Sequence, residues 1–243
     1  MANFIDNAVS GSDSFSSSAT QTVAIGARRY ASDGREFRYC LAGGSDLVAG
    51  NSIQSSAIVT AHLANTPPAV AVGDKTFTYT PGAATGAANL YAGGYLQVDT
   101  TPGNGYTYQV SGHAAIASST AFTLNLVDAI QVALTTSSRV GLIANPYRNV
   151  VQFPATTATG SYVGVAPCIV TTAQFGWLQV SGQASVLISG TPALGAAVVA
   201  PSGTAGAVVV MDTTVLVVAQ LVGNMAQIGV SGKNNFVNLR TLG

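Results

Sequence analysis

Ala196-Ala197-Val198-Val199-Ala200-Pro201-Ser202-Gly203-Thr204-Ala205-Gly206-Ala207-Val208-Val209-Val210-Met211-Asp212-Thr213-Thr214-Val215-Leu216-Val217-Val218-Ala219 is three short apolar runs cut by turn residues. Pro201, Ser202 and Gly203 stop the first run. Asp212, Thr213 and Thr214 stop the second, and the third reaches Gln220. A membrane-spanning helix needs about 20 consecutive, predominantly apolar residues. Each run here falls short of that and has the length and β-branched content of a buried strand. An outer-membrane barrel would end strands of about 9–11 residues in aromatic girdles, and the aromatics of this chain do not fall at regular strand ends. The expectation is therefore no membrane.

The same grammar extends outward. Val, Thr, Tyr and Ile dominate, Gly and Pro punctuate, and no stretch carries a helical apolar stripe opposite Lys, Glu or Arg. The reading is all-β. Strands are expected over 75–80, 94–98, 107–111, 122–126, 130–134, 140–144, 168–172, 176–181, 185–189, 196–200, 207–211, 215–219 and 225–230. Turn chemistry at Pro81-Gly82, Pro102-Gly103-Asn104-Gly105, Asn145-Pro146 and Ser231-Gly232 separates several of them. Residues 1 to about 24 are Ser-rich and lack apolar periodicity, so they cannot fold alone. They read as a disordered tail or as an arm that orders against a neighbour; Phe4, Ile5 and Phe15 favour the arm. Gly94-Tyr95-Leu96-Gln97-Val98 echoes Gly176-Trp177-Leu178-Gln179-Val180, and Val110-Ser111-Gly112 echoes Val180-Ser181-Gly182. The organisation read from these signals is an extended N-terminal arm and charged hairpin (1–40). Two small β-sandwich or β-barrel modules follow (41–155 and 156–243).

Between Arg148 and Asp212 the chain has no charged residue, and only 7% of all its residues are charged, against about 25% in ordinary globular domains. A surface solvated by hydroxyls and amides does little to repel copies of itself. That points to a protein packed in an assembly and away from catalysis, which draws on ionisable groups. Nine basic and nine acidic residues give a formal net charge of zero, so there is no basic stripe for a nucleic-acid backbone. The start, Met1 to Asp6, lacks the pattern of a secretory signal, which leads to the expectation of a protein made in a cytoplasm. Cys40 and Cys168 stand in apolar contexts and read as separate buried thiols.

Charge is concentrated in one place. Arg28, Arg29, Asp33, Arg35, Glu36 and Arg38 fall within eleven residues, interleaved with Tyr30, Phe37 and Tyr39. Asp33-Gly34 is a turn signal, so a hairpin centred there is expected. Two readings stand side by side: a solvated hairpin with local ion pairs, and an intersubunit contact that uses the planar arginine fork. The second is the reading adopted, with phosphate binding by Arg28 and Arg29 as a lesser alternative. The candidate contact residues are Phe4, Phe15, Arg28, Arg29, Asp33, Arg35, Glu36, Phe37 and Arg38. No catalytic residue, cofactor or metal site is expected: His62 and His113 lie in unlike contexts, no Cys or His pair has metal-ligand spacing, and the acids are scattered singly. Trp177, the sole tryptophan, reads as a core anchor, with ligand stacking as the sharper alternative.

The stretch from Gly26 to Gly44, with Arg28-Arg29-Tyr30, Asp33-Gly34-Arg35 and Phe37-Arg38-Tyr39, followed by Leu47-Val48-Ala49-Gly50, resembles the N-terminal region of capsid decoration, or cement, proteins of tailed bacteriophages. Tyr162-Val163-Gly164-Val165-Ala166 and Phe175-Gly176-Trp177-Leu178-Gln179-Val180-Ser181-Gly182 are similar to them as well. The resemblance implies a β-rich homotrimer on the outer capsid surface of a virion, bound to the major capsid protein and bridging capsomers. Rival readings are another virion component (tail tube, connector or head fibre), an adhesin or carbohydrate-binding module, and a hydrolase with a dispersed site.

Overall fold

The computed structural model describes residues 13–212 and 219–240. The expected strand at 215–219 and the candidate contact Phe4 lie outside the described residues, 215–219 in all but its last position. Within them the chain is all-β; the helical segments are two single 3-10 turns, Asp13–Phe15 and Thr60–His62. The chain opens with β1 (Arg28–Tyr30), β2 (Glu36–Leu41) and β3 (Ser52–Gln54). It then builds a separate sheet from β4 (Thr76–Tyr79), β5 (Tyr95–Thr100), β6 (Thr107–His113), β7 (Phe122–Leu126) and β8 (Arg139–Ile143). It continues with β9 (Val151–Gln152), β10 (Tyr162–Val165), β11 (Phe175–Leu187) and β12 (Ala197–Ala200), and ends with β13 (Val209–Val210), β14 (Gln220–Met225) and β15 (Asn234–Leu239).

Two compact units result. One is residues 58–145; the other combines 1–57 with 146–243. The boundaries read from the sequence, at 40 and 155, do not coincide with this division. The reason is non-local pairing: β2 pairs with β11, and β3 with β10 and β9. The first 57 residues therefore belong with the second half of the chain, and the middle of the chain forms a unit by itself.

In the larger unit β11 is the spine, thirteen residues long. Its first half pairs with β2, from Phe175↔Leu41 to Ser181↔Glu36. Its second half pairs with β15, from Gly182↔Leu239 to Leu187↔Asn234. Gly182 stands at the changeover with φ +81, a conformation that glycine adopts without Cβ strain. A Cβ there would also lie 3.0 Å from Arg35 Cγ. The strand order is β13-β12-β14-β15-β11-β10-β3-β9, with β1 added on β2. Buried Val186, Ile188, Val198, Val222 and Val237 pack beneath one part of the sheet, and Cys40, Leu47, Ile53, Val150 and Leu178 beneath another. Each such side chain contributes about 1.5–3 kcal/mol by leaving water.

The smaller unit is a five-stranded antiparallel sheet in the order β4-β7-β6-β5-β8. Its strands alternate buried and exposed positions. Leu96, Val98, Tyr108, Val110, Leu124, Val140 and Leu142 form the core. Gly94 lets β5 approach β8: a Cβ there would lie 2.2 Å from the Ile143 carbonyl oxygen. The two echoed segments both lie on strands, and each Val-Ser-Gly copy carries a register shift. The likeness does not extend to burial: Tyr95 and Gln97 are exposed, whereas Trp177 and Gln179 are buried.

Candidate interaction surface on the β1–β2 hairpin

The hairpin expected at Asp33-Gly34 forms. Arg28 pairs with Arg38, Arg29 with Phe37 and Tyr30 with Glu36 across β1 and β2. Gly34, at φ +85, donates its N–H to the Ala31 carbonyl. Asp33 closes the loop. One carboxylate oxygen accepts the Arg35 backbone N–H at 3.1 Å and the other accepts Arg35 Nε at 2.6 Å. The Arg35 backbone N–H, with its guanidinium, holds the Asp33 carboxyl below its ordinary range.

Strand alternation splits the charges between two levels. Glu36 is only 8% exposed. Its carboxylate lies 3.2 Å from Arg28 Nε and 3.7 Å from Arg38 Nε. Arg38 also donates from Nη1 to the Gly26 carbonyl. Three arginines lie over rings: Arg29 over Trp177 at 4.5 Å, Arg35 over Phe37 at 5.5 Å, and Arg38 over Tyr147 at 5.6 Å. Such contacts are worth about 0.5–1 kcal/mol when exposed and about 2 or more when desolvated. Under Arg29, Trp177 packs edge-on against Tyr39, which stacks on Phe175.

The structure thus brings together Arg28, Arg29, Asp33, Arg35, Glu36 and Arg38 of the candidate set, and each carboxylate already has an arginine beside it. This is the local pairing that the solvated-hairpin reading expects. Phe37 is fully buried; it supports the hairpin from below, so it is no contact residue here. Phe15 is half exposed, on the 3-10 turn, and lines a hollow with Arg35. Tyr30, passed over as a candidate, is exposed on β1 to the same degree. Trp177 is 4% exposed and serves as the anchor expected of it.

One constellation has no local signal in the sequence. His62, Tyr91 and His113, distant along the chain, meet inside the smaller unit. The Ala84 carbonyl can only accept, so His62 Nε2 donates to it, at 3.2 Å, and Nδ1 accepts the Tyr91 hydroxyl at 2.5 Å. His113 Nδ1 donates to the Ala114 carbonyl, and its Nε2 accepts the Tyr91 backbone N–H at 3.0 Å. Every ring nitrogen has a partner inside the fold, which is a packing role. Cys40 and Cys168 are free thiols, as read; burial pushes Cys40 up to about 12 and also raises Cys168. Among the described residues no three His, Cys, Asp or Glu side chains group as metal ligands, and no helix is long and apolar enough to cross a membrane. Comparison with models of protein families, with curated proteins and with solved structures returned no match.

Proposed function

We propose that this chain is a non-catalytic structural protein of a tailed-phage virion, a capsid decoration protein. In this reading it docks on the outer capsid lattice as a homotrimer, contacts the major capsid protein, and stabilises the head through many weak contacts around the shell. One observation carries it: large apolar side chains left exposed by a chain that spends little on charge. Ile169 and Leu194 lie in the 63-residue stretch without charge, and Ile228 and Val230 follow it; all four are more than half exposed. Exposed apolar side chains of this kind suit a surface that is covered in use. The phage and capsid assignment rests on the resemblance of the Arg28–Gly50 and Tyr162–Gly182 segments.

Cryo-electron microscopy of purified virions tests the proposal. The expected result is density for this chain at regular positions on the outer capsid face, lost from particles made without it and restored by adding the purified chain. Density in the tail, or none on the particle, overturns it. Replacing Tyr30 and Arg35 with Ala is expected to weaken rebinding and leave circular dichroism unchanged.

A further inference from the structure

We propose that the larger unit carries a binding site for an uncharged oligosaccharide, built on the open face of β11, β15 and β14 beside the hairpin. The site does not depend on the capsid reading. Pairing sets Gln183 opposite Asn238 and Asn238 opposite Asn224. Three carboxamides therefore stand in a row on three neighbouring strands, the third, Asn224, with its Nδ2 already donated to the Gly195 carbonyl. Strands lie about 4.8 Å apart, so the row spans about 10 Å, the length of a disaccharide. Two positions before Asn238, on the same face, is Phe236, 49% exposed.

At its Gln183 and Phe236 end this face meets two adjoining hollows of about 210 and 330 Å³ that share Arg35, Gln183 and Phe236; Asn224 and Asn238 extend the row beyond them. The second falls at the low end of the range of small-molecule pockets, about 300–1,000 Å³. Phe15, also 49% exposed, lines the first hollow. Each feature is a sugar-binding element. An exposed aromatic ring receives the C–H face of a pyranose. A carboxamide donates and accepts, as a hydroxyl does. Gln183 and Asn238 make no side-chain hydrogen bond to the described chain, and both are exposed. The charged residues that line the hollows are Arg35 and Asp33, and that pair cancels its own charge at 2.6 Å. That chemistry selects a neutral, polyhydroxylated ligand. A peptide adding itself as a strand is disfavoured, because β15 already pairs on both sides, with β11 and β14.

The test screens the whole chain against immobilised linear glucans, galactans and N-acetylglucosamine oligomers, alongside sialylated and sulfated glycans, and titrates binders by calorimetry at low and high salt. The expected result is binding to an uncharged oligosaccharide that is indifferent to salt. It should weaken about tenfold, the scale of one lost aromatic contact, in Phe236→Ala. It should weaken again in Asn238→Ala, and remain unchanged in Gln97→Ala on the other unit. Both site residues are exposed, so urea midpoints should match wild type; Gln183→Glu offers an isosteric second variant. Three outcomes overturn the proposal: no uncharged oligosaccharide binds, only charged glycans bind with affinity that collapses in salt, or binding is unaltered by all three site substitutions.

Discussion

Tyr91 is the residue on which the smaller unit's interior polarity turns. Its hydroxyl serves His62 and its backbone N–H serves His113. Tyr91→Phe keeps the ring but leaves His62 Nδ1 buried without a donor, which costs about 1–3 kcal/mol. The urea midpoint should fall accordingly, whereas Tyr106→Phe, on an exposed ring, should leave it unmoved. Nothing in the sequence foretells this cluster, because residues 62, 91 and 113 share no local pattern: a 3-10 turn, a turn before β5 and the end of β6 bring them together. The thiols were easier to read as separate and free, and apolar neighbours foretold the burial of Cys40, whereas Cys168 is only half-buried. Burial also fixes a pH response. Folded Cys40 keeps its proton to about 12, whereas the unfolded thiol loses it near 9.0. Above pH 9 the unfolded state binds fewer protons, so stability falls as pH rises towards 12. Tyr91, raised from 10.0 to about 12 by burial, adds a loss of the same sign between those values. Urea midpoints measured from pH 8 to 11 should decline steadily, and Cys40→Ala should flatten the part of the decline that begins near pH 9.

At the scale of elements, the β1–β2 hairpin separates two kinds of ion pair. Asp33 and Arg35 sit at the exposed turn, where such a pair is worth about 0–1 kcal/mol. Arg35→Ala should therefore barely change stability. Glu36 is buried between Arg28 and Arg38. Removing both arginines leaves an uncompensated buried carboxylate, at a cost of about 3–5 kcal/mol. The Arg28→Ala, Arg38→Ala double variant should lose about that much in chemical denaturation, and a further Glu36→Gln should restore part of it. The hairpin was legible because Asp-Gly between alternating residues has few other solutions. Strands β4, β5 and β7 were legible for a similar reason, their alternation being clean, whereas β6 carries a register shift and β8 buries Val140, Gly141 and Leu142 in succession. Elsewhere apolar content misled. The segments 130–134 and 168–172 are irregular, tied by single bridges at Leu134 and Val170, and 225–230 is mostly loop. The true strands there, β14 and β15, read Gln-Leu-Val-Gly-Asn-Met and Asn-Asn-Phe-Val-Asn-Leu. Their outward amides hid an alternation that β15 keeps at every position. The same amides supply the proposed sugar-binding row, so the misread strand and the unforeseen site have one origin.

Over the whole molecule, sequence order concealed how the chain divides. An echo between residues 94–98 and 176–180 invites two consecutive modules, and a local reading cannot see that β2 belongs beside β11, more than 130 positions later. The structure instead gives residues 58–145 their own sheet and their own core, including Leu96, Leu124, Val140 and Leu142. Chains near 60 residues can fold alone although they bury a smaller share of their surface, and this unit is longer. Expressed by itself, 58–145 should therefore unfold in a single sigmoidal urea transition, with Tyr91→Phe shifting the midpoint. A gradual, non-cooperative loss of circular dichroism would show that its core is insufficient. The intact protein allows a sharper measurement. Trp177, the only tryptophan, belongs to the larger unit, so its fluorescence follows that unit, whereas far-ultraviolet circular dichroism follows both sheets. If each core melts by its own balance, Tyr91→Phe should move the dichroism curve to lower urea and leave the tryptophan curve in place. The Arg28→Ala, Arg38→Ala double variant should move the tryptophan curve, because Glu36 lies on β2 beside Trp177's strand, and with it only the larger unit's share of the dichroism change. Both curves moving together in both variants would mean that the two units unfold as one cooperative body.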